Sequence, residues 1–110
     1  MISASQVRAL KKETEDRVVF TLPDYYFNAF GPTEDAESLI DRYILLRSGA
    51  GYTDVVVGVP CLSSHSDSWN FDTARMVGRM YEEAEYVCSV YPSIECFGDK
   101  RVILLTIRWD

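Results

Sequence analysis

The C-terminal stretch SIECFGDKRVILLTIRWD constrains the fold more tightly than any other part of the chain. Gly98-Asp99 has turn chemistry. After it, Arg101, Ile103, Leu105, Ile107 and Trp109 alternate with Val102, Leu104, Thr106 and Arg108. A period of two is the signature of a β-strand, and the turn before it predicts a hairpin. A second strand is predicted at TDVVVGVP, whose near-continuous valines suit a central position or burial on both faces. A third is predicted at RVVFTLP, rich in β-branched and aromatic residues and stopped by Pro23.

Two helical patterns separate these strands. Thr33 can cap the first, Glu34, Asp35 and Glu37 suit the positive end of its dipole, and Gly49 and Gly51 stop it. Its apolar stripe is Ala36, Leu39, Ile40, Tyr43 and Ile44. The second pattern runs roughly from Asp72 to Tyr91, through Ala74, Val77, Met80 or Tyr81, Ala84, Val87 or Cys88 and Tyr91, and Pro92 closes it. A short N-terminal helix is expected as well, capped by Ser3 or Ser5 with Val7 and Leu10 on one side. DYYFNAFGP reads as one helical turn that Asp24 could cap, presenting Tyr25, Tyr26, Phe27 and Phe30 and closed by Gly31-Pro32.

The order α-β-α-β-α-β-β predicts an α+β fold. It is a two-layer sandwich in which two amphipathic helices cover one face of an about four-stranded, mostly antiparallel sheet, with a short N-terminal helix besides. A ferredoxin-like split βαβ arrangement is the alternative. Residues 1–110 read as one globular domain: there is no repeat or linker, and 47% apolar with 25% charged residues suits a packed core rather than disorder.

Charge and cysteine usage narrow the function classes. The net charge is −6, and from Val18 to Asp41 five acids occur without a lysine or arginine. The cations Arg8, Lys11, Lys12 and Arg17 are interleaved with Glu13, Glu15 and Asp16. Nucleic-acid backbones are bound by clustered cations, so direct nucleic-acid binding is not expected. The longest apolar run, Val102 to Leu105, is too short for a membrane span, and the N-terminus lacks the pattern of a secretory leader. Cys61, Cys88 and Cys96 have no framework spacing and are expected to be reduced thiols, as in the cytoplasm.

The loop VPCLSSHSDSWNFD concentrates chemically versatile residues. Cys61 and His65 could form a thiolate–imidazole pair, the basis of a small thiol enzyme. With Asp67 they would offer three zinc-type ligands, one short of a structural site, so no metal and no cofactor is expected. No G-x-S-x-G elbow encloses Ser63, Ser64, Ser66 or Ser68, which instead suit turns, with Ser68, Asn70 or Asp72 capping the helix that follows. The glycines of RSGAGYTD follow a helix and precede a strand, the reverse of a phosphate cradle.

The aromatics give the strongest interaction signal. Tyr25, Tyr26, Phe27 and Phe30 crowd a short turn and cannot all enter one core, while Trp69 and Phe71 sit beside the loop. With Glu34 and Asp35 they form the expected protein interface, because exposed aromatics bury large area at low entropic cost. The expected function is therefore a small, acidic, non-catalytic binding protein of the inhibitor or immunity type, acting on a larger and basic protein partner. A structural subunit of a symmetric assembly, such as a viral particle, is the alternative. In that case edge strands such as the C-terminal one would pair between copies.

Overall fold

The computed structural model describes residues 19–110, so the expected N-terminal helix lies outside the described residues. The elements are β1 (Phe20–Thr21), a 3-10 turn (Asp24–Tyr26), β2 (Phe27–Asn28), β3 (Gly31–Pro32), α1 (Glu34–Gly49), β4 (Asp54–Pro60), α2 (Asp67–Glu82), β5 (Val87–Phe97) and β6 (Lys100–Arg108). The main sheet is four-stranded in the order β1-β4-β6-β5, and β2 and β3 form a separate small hairpin. β1 runs parallel to β4, and β6 is antiparallel to both β4 and β5. Because β6 lies between β4 and β5, the unit β4-α2-β5 is a split βαβ. This is the α+β two-layer architecture that the periodicities predict.

The core is the side of the sheet covered by the helices. Val55, Val57 and Val59 lie directly opposite Ile107, Leu105 and Ile103, and all six are buried. Alternation sends every second residue to the same face, so these cross-strand pairs form one apolar floor. Ala36, Ile40 and Ile44 of α1 and Ala74, Val77 and Tyr81 of α2 close over it. Full burial of each such Val, Leu or Ile side chain contributes about 1.5–3 kcal/mol.

The C-terminal strand is not an edge. Its neighbours on both sides are strands, because the chain turns back at Gly98 and inserts β6 beside β4. The described edges are the two-residue β1 and β5, which corrects the expectation that β6 could pair between copies. β5 is itself blunted: Val90 pairs with Leu105 and Ile94 with Ile103, so three residues, Tyr91 to Ser93, stand opposite Leu104 alone. Pro92, which has no N–H to donate, sits inside this bulge.

The second helix differs from its predicted bounds at both ends. It begins at Asp67 rather than Asp72, with Ser66 as its N-cap; the Ser66 hydroxyl accepts from Trp69 N at 3.2 Å. It ends at Glu82 rather than Tyr91. Glu85 is in the left-handed region at φ 74°, and Tyr86 N donates to Tyr81 O at 3.0 Å. The two rings then meet edge to face at 5.6 Å. This is a Schellman stop with its usual apolar contact, built on a residue that has a Cβ. Residues 87–91 can continue as strand because Cys88 and Val90 turn inward beside Ile107 and Leu105. Replacing Glu85 by Gly removes the left-handed penalty and is expected to raise the unfolding free energy by about 0.5–1 kcal/mol. Urea melts would show this as a higher midpoint at constant slope, and an unchanged or lower midpoint would contradict it.

Candidate functional site

The turn between β1 and α1 does not form a helix that presents four aromatics together. Pro23, not Asp24, is the N-terminal flank of the 3-10 turn, and no side chain caps it. The Tyr26 carbonyl accepts from Thr33 N at 2.9 Å and from the Thr33 hydroxyl at 2.8 Å, closing the loop on itself. Within it Phe27 pairs with Pro32 and Asn28 with Gly31. The Asn28 side chain accepts from Phe30 N at 2.8 Å, which sharpens the tip. Gly31 has φ 109°, and a Cβ there would lie 2.8 Å from Met76 Sδ. The hairpin is therefore pressed onto the α2 flank that carries Met76.

This geometry sorts the aromatics. Phe27 is 6% exposed and belongs to the core, so it offers no contact area. Tyr26 is half-buried against the core, with Tyr25 edge to face on it at 4.9 Å. Tyr25 is 78% exposed and Phe30 is 90% exposed. Glu34 and Asp35 are exposed in the first turn of α1, where the helix dipole favours them. Thr33 is the N-cap by position, but its hydroxyl is spent on Tyr26, so these carboxylates are what complement the helix end. Among the described residues Asp24, Glu34, Asp35 and Glu37 make no ion pair.

Trp69 and Phe71 do not share a surface. Two residues apart on a helix, they point to opposite flanks. Trp69 is half-buried and stacks on His65 with ring centroids 3.9 Å apart and 16° between planes. It lies on the flank of Thr73 and Met76, the side the β2–β3 hairpin touches. Phe71 packs partly into the core, with the Arg75 guanidinium 5.8 Å from its ring.

The loop after β4 is held by Asn70. Its Oδ1 accepts from Leu62 N at 2.9 Å, and its Nδ2 donates to Leu62 O at 3.3 Å and Ser66 O at 3.0 Å. A cleft of about 440 Å³ beside this loop is lined by Cys61, Ser63, Ser64, Asp99, Lys100 and Arg101 among others. Burial pushes the Cys61 thiol up, and the nearby Arg101 only partly offsets this. No hydrogen bond joins Cys61 to His65 among the described residues, and the His65 ring is engaged with Trp69. A thiol raised in this way is mostly protonated at neutral pH, the opposite of an activated nucleophile. Among the described residues no group of three His, Cys, Asp or Glu side chains is placed to hold a metal ion. No helix there is long and apolar enough to cross a membrane.

One buried polar contact had no signal in the sequence. The Tyr81 hydroxyl lies 2.8 Å from Asp41 Oδ1 and 3.1 Å from the Glu37 carbonyl, tying α2 to α1 across forty positions of chain. Burial, then the Asp41 bond, pushes the phenol pKa well up. No protein-family model, curated protein or solved structure matches the chain.

Proposed function

We propose that this chain is a small, non-catalytic binding module of the inhibitor or immunity type that docks on a larger protein partner with a basic surface. The observation that carries the reading is the exposure of Tyr25 and Phe30 on a braced tip beside carboxylates that no described cation neutralises. Aromatics at the centre of a contact supply affinity, and acids without an ion-pair partner among the described residues would steer a basic partner. Three cysteines without a disulfide support a cytoplasmic setting.

The test is a double substitution, Tyr25→Ala with Phe30→Ala. Both side chains are exposed, so folding is expected to change by no more than about 0.5 kcal/mol per site. Partners captured by the wild-type chain are expected to bind the double variant at least roughly thirtyfold more weakly, about 2 kcal/mol. Wild-type association should slow as salt rises. A folded double variant that keeps each partner at full affinity would sink the proposal.

The second reading, a subunit of a symmetric assembly, has its support at β5, where Val87, Tyr91 and Phe97 are exposed on an edge strand. Light scattering across a concentration series separates the two. A discrete oligomer lost on replacing Tyr91 by Lys supports assembly, and a stable monomer supports the docking module.

A further inference from the structure

We infer that the groove between α1 and α2 is a separate docking site whose occupant is a cationic amphipathic helix of a partner protein. The groove has a volume of about 390 Å³. Its apolar surface comes from Leu45 and Ile44 on one side and Met80, Ala84 and Tyr86 on the other. Leu45 is 71% exposed, a large aliphatic side chain left in water on the flank of α1 that faces α2. Met80 is unbranched and adapts its shape to what packs on it.

The charge of the rim selects the occupant. Glu37 and Asp41 line the groove, and among the described residues its lining contains no lysine or arginine. They stand one helical turn apart on the same flank of α1, a like-charge spacing that disfavours the isolated helix. Tyr81 engages one oxygen of Asp41, and among the described residues the other oxygen has no partner. Neither carboxylate is ion-paired among the described residues. A helix that lays apolar residues against Leu45 and Met80, with lysine or arginine one turn apart along its margin, complements both features at once. An acidic or uncharged helix would bury the carboxylates without compensation. The site is distinct from the tip of Tyr25 and Phe30 and stands or falls without it.

The probe is a fluorescein-labelled synthetic helix of leucine and lysine with one apolar face, titrated with the full chain and followed by anisotropy. A scrambled peptide of the same composition and charge, without an apolar face, is the comparison. The amphipathic peptide is expected to bind about tenfold tighter than the scrambled one, and Leu45→Ser and Asp41→Asn each to weaken it about fivefold or more. Asp99→Asn removes the same charge outside the groove and should leave binding unchanged, as should the Tyr25→Ala, Phe30→Ala pair. Equal binding of the two peptides, or an Asp99→Asn effect as large as that of Asp41→Asn, overturns the site in favour of diffuse acidity. Self-association of the chain that Leu45→Ser abolishes would overturn it too, assigning the groove to a second copy.

Discussion

Leu105→Ala is expected to lower the unfolding free energy by about 3–5 kcal/mol. Leu105 is 0% exposed and lies at the centre of the floor, paired with Val57 on one side and Val90 on the other. α2 rests directly on it, since a Cβ at Gly78 would lie 3.3 Å from Leu105 Cδ1. Gly78 has no side chain to move into the space, so the cavity left by truncation cannot collapse from above. A domain of this size is stable by only about 5–15 kcal/mol, so roughly a fifth or more of the total is at stake. Urea melts should show a lower midpoint with the slope preserved. Leu46→Ala, at an exposed position of α1, should stay within about 0.5 kcal/mol of wild type. The cavity also implies coupling: Gly78→Ala crowds Leu105 in the wild-type chain but partly fills the void in Leu105→Ala, so the double variant should be more stable than the two single costs predict. A loss under about 1.5 kcal/mol for Leu105→Ala, or strict additivity with Gly78→Ala, would contradict this contact between α2 and β6.

Asn70→Ala is expected to cost about 2–4 kcal/mol, because it removes three hydrogen bonds at one buried point. Asn70 is 2% exposed, and no described buried side-chain polar atom lacks a partner. Truncation leaves Leu62 N–H without its acceptor and takes a donor from the carbonyls of Leu62 and Ser66. A carboxylate makes the point sharper. Asn70→Asp keeps the acceptor for Leu62 N–H but turns its other oxygen toward two carbonyls at a buried point, so its acid is favoured in the neutral form when folded. Its folded pKa is then raised above the unfolded value of about 3.9, and stability falls as pH rises from there. Relative to wild type, Asn70→Asp should therefore be less damaging at acid pH than at pH 7, whereas Asn70→Ala should show no such trend. Parallel melts of the three proteins across pH decide this, and matching pH profiles for the two variants would refute the clamp.

What could be read before the structure follows from how local each signal is. α1 was legible because its stripe of Ala36, Ile40 and Ile44, its first-turn acids and its terminal glycines all lie within one helix length. The start of α2 was not, because Ser63, Ser64, Ser66 and Ser68 are near-equivalent as caps by chemistry. Ser66 takes the role in a loop that Asn70 holds in place from one turn into the helix. Residues 87–91 satisfy a helical period through Val87, Cys88 and Tyr91 and a strand period through Cys88 and Val90. Glu85, a residue with no preference for the left-handed region, stops the helix and leaves the strand period to prevail.

The candidate site divides in the same way. That some of the aromatics between Tyr25 and Phe30 must reach the surface was evident from their crowding. Which of them do so was decided by the Asn28 turn, the Thr33 bonds to Tyr26 and the contact of Gly31 with Met76. The groove lined by Glu37, Asp41, Leu45 and Met80 left no trace in the sequence, since its two walls are separate helices brought together by the sheet beneath them. By itself the sequence determined the α+β class, the inward face of α1, the strand character of β4 and β6, the acidic balance and the lack of a cationic cluster, all properties of near neighbours and composition. Only the tertiary structure decided that β6 lies between β4 and β5, that Phe27 is core while Phe30 is surface, and that Tyr81 reaches Asp41. Strand order and exposure depend on contacts between distant segments, and those form only when the whole core closes.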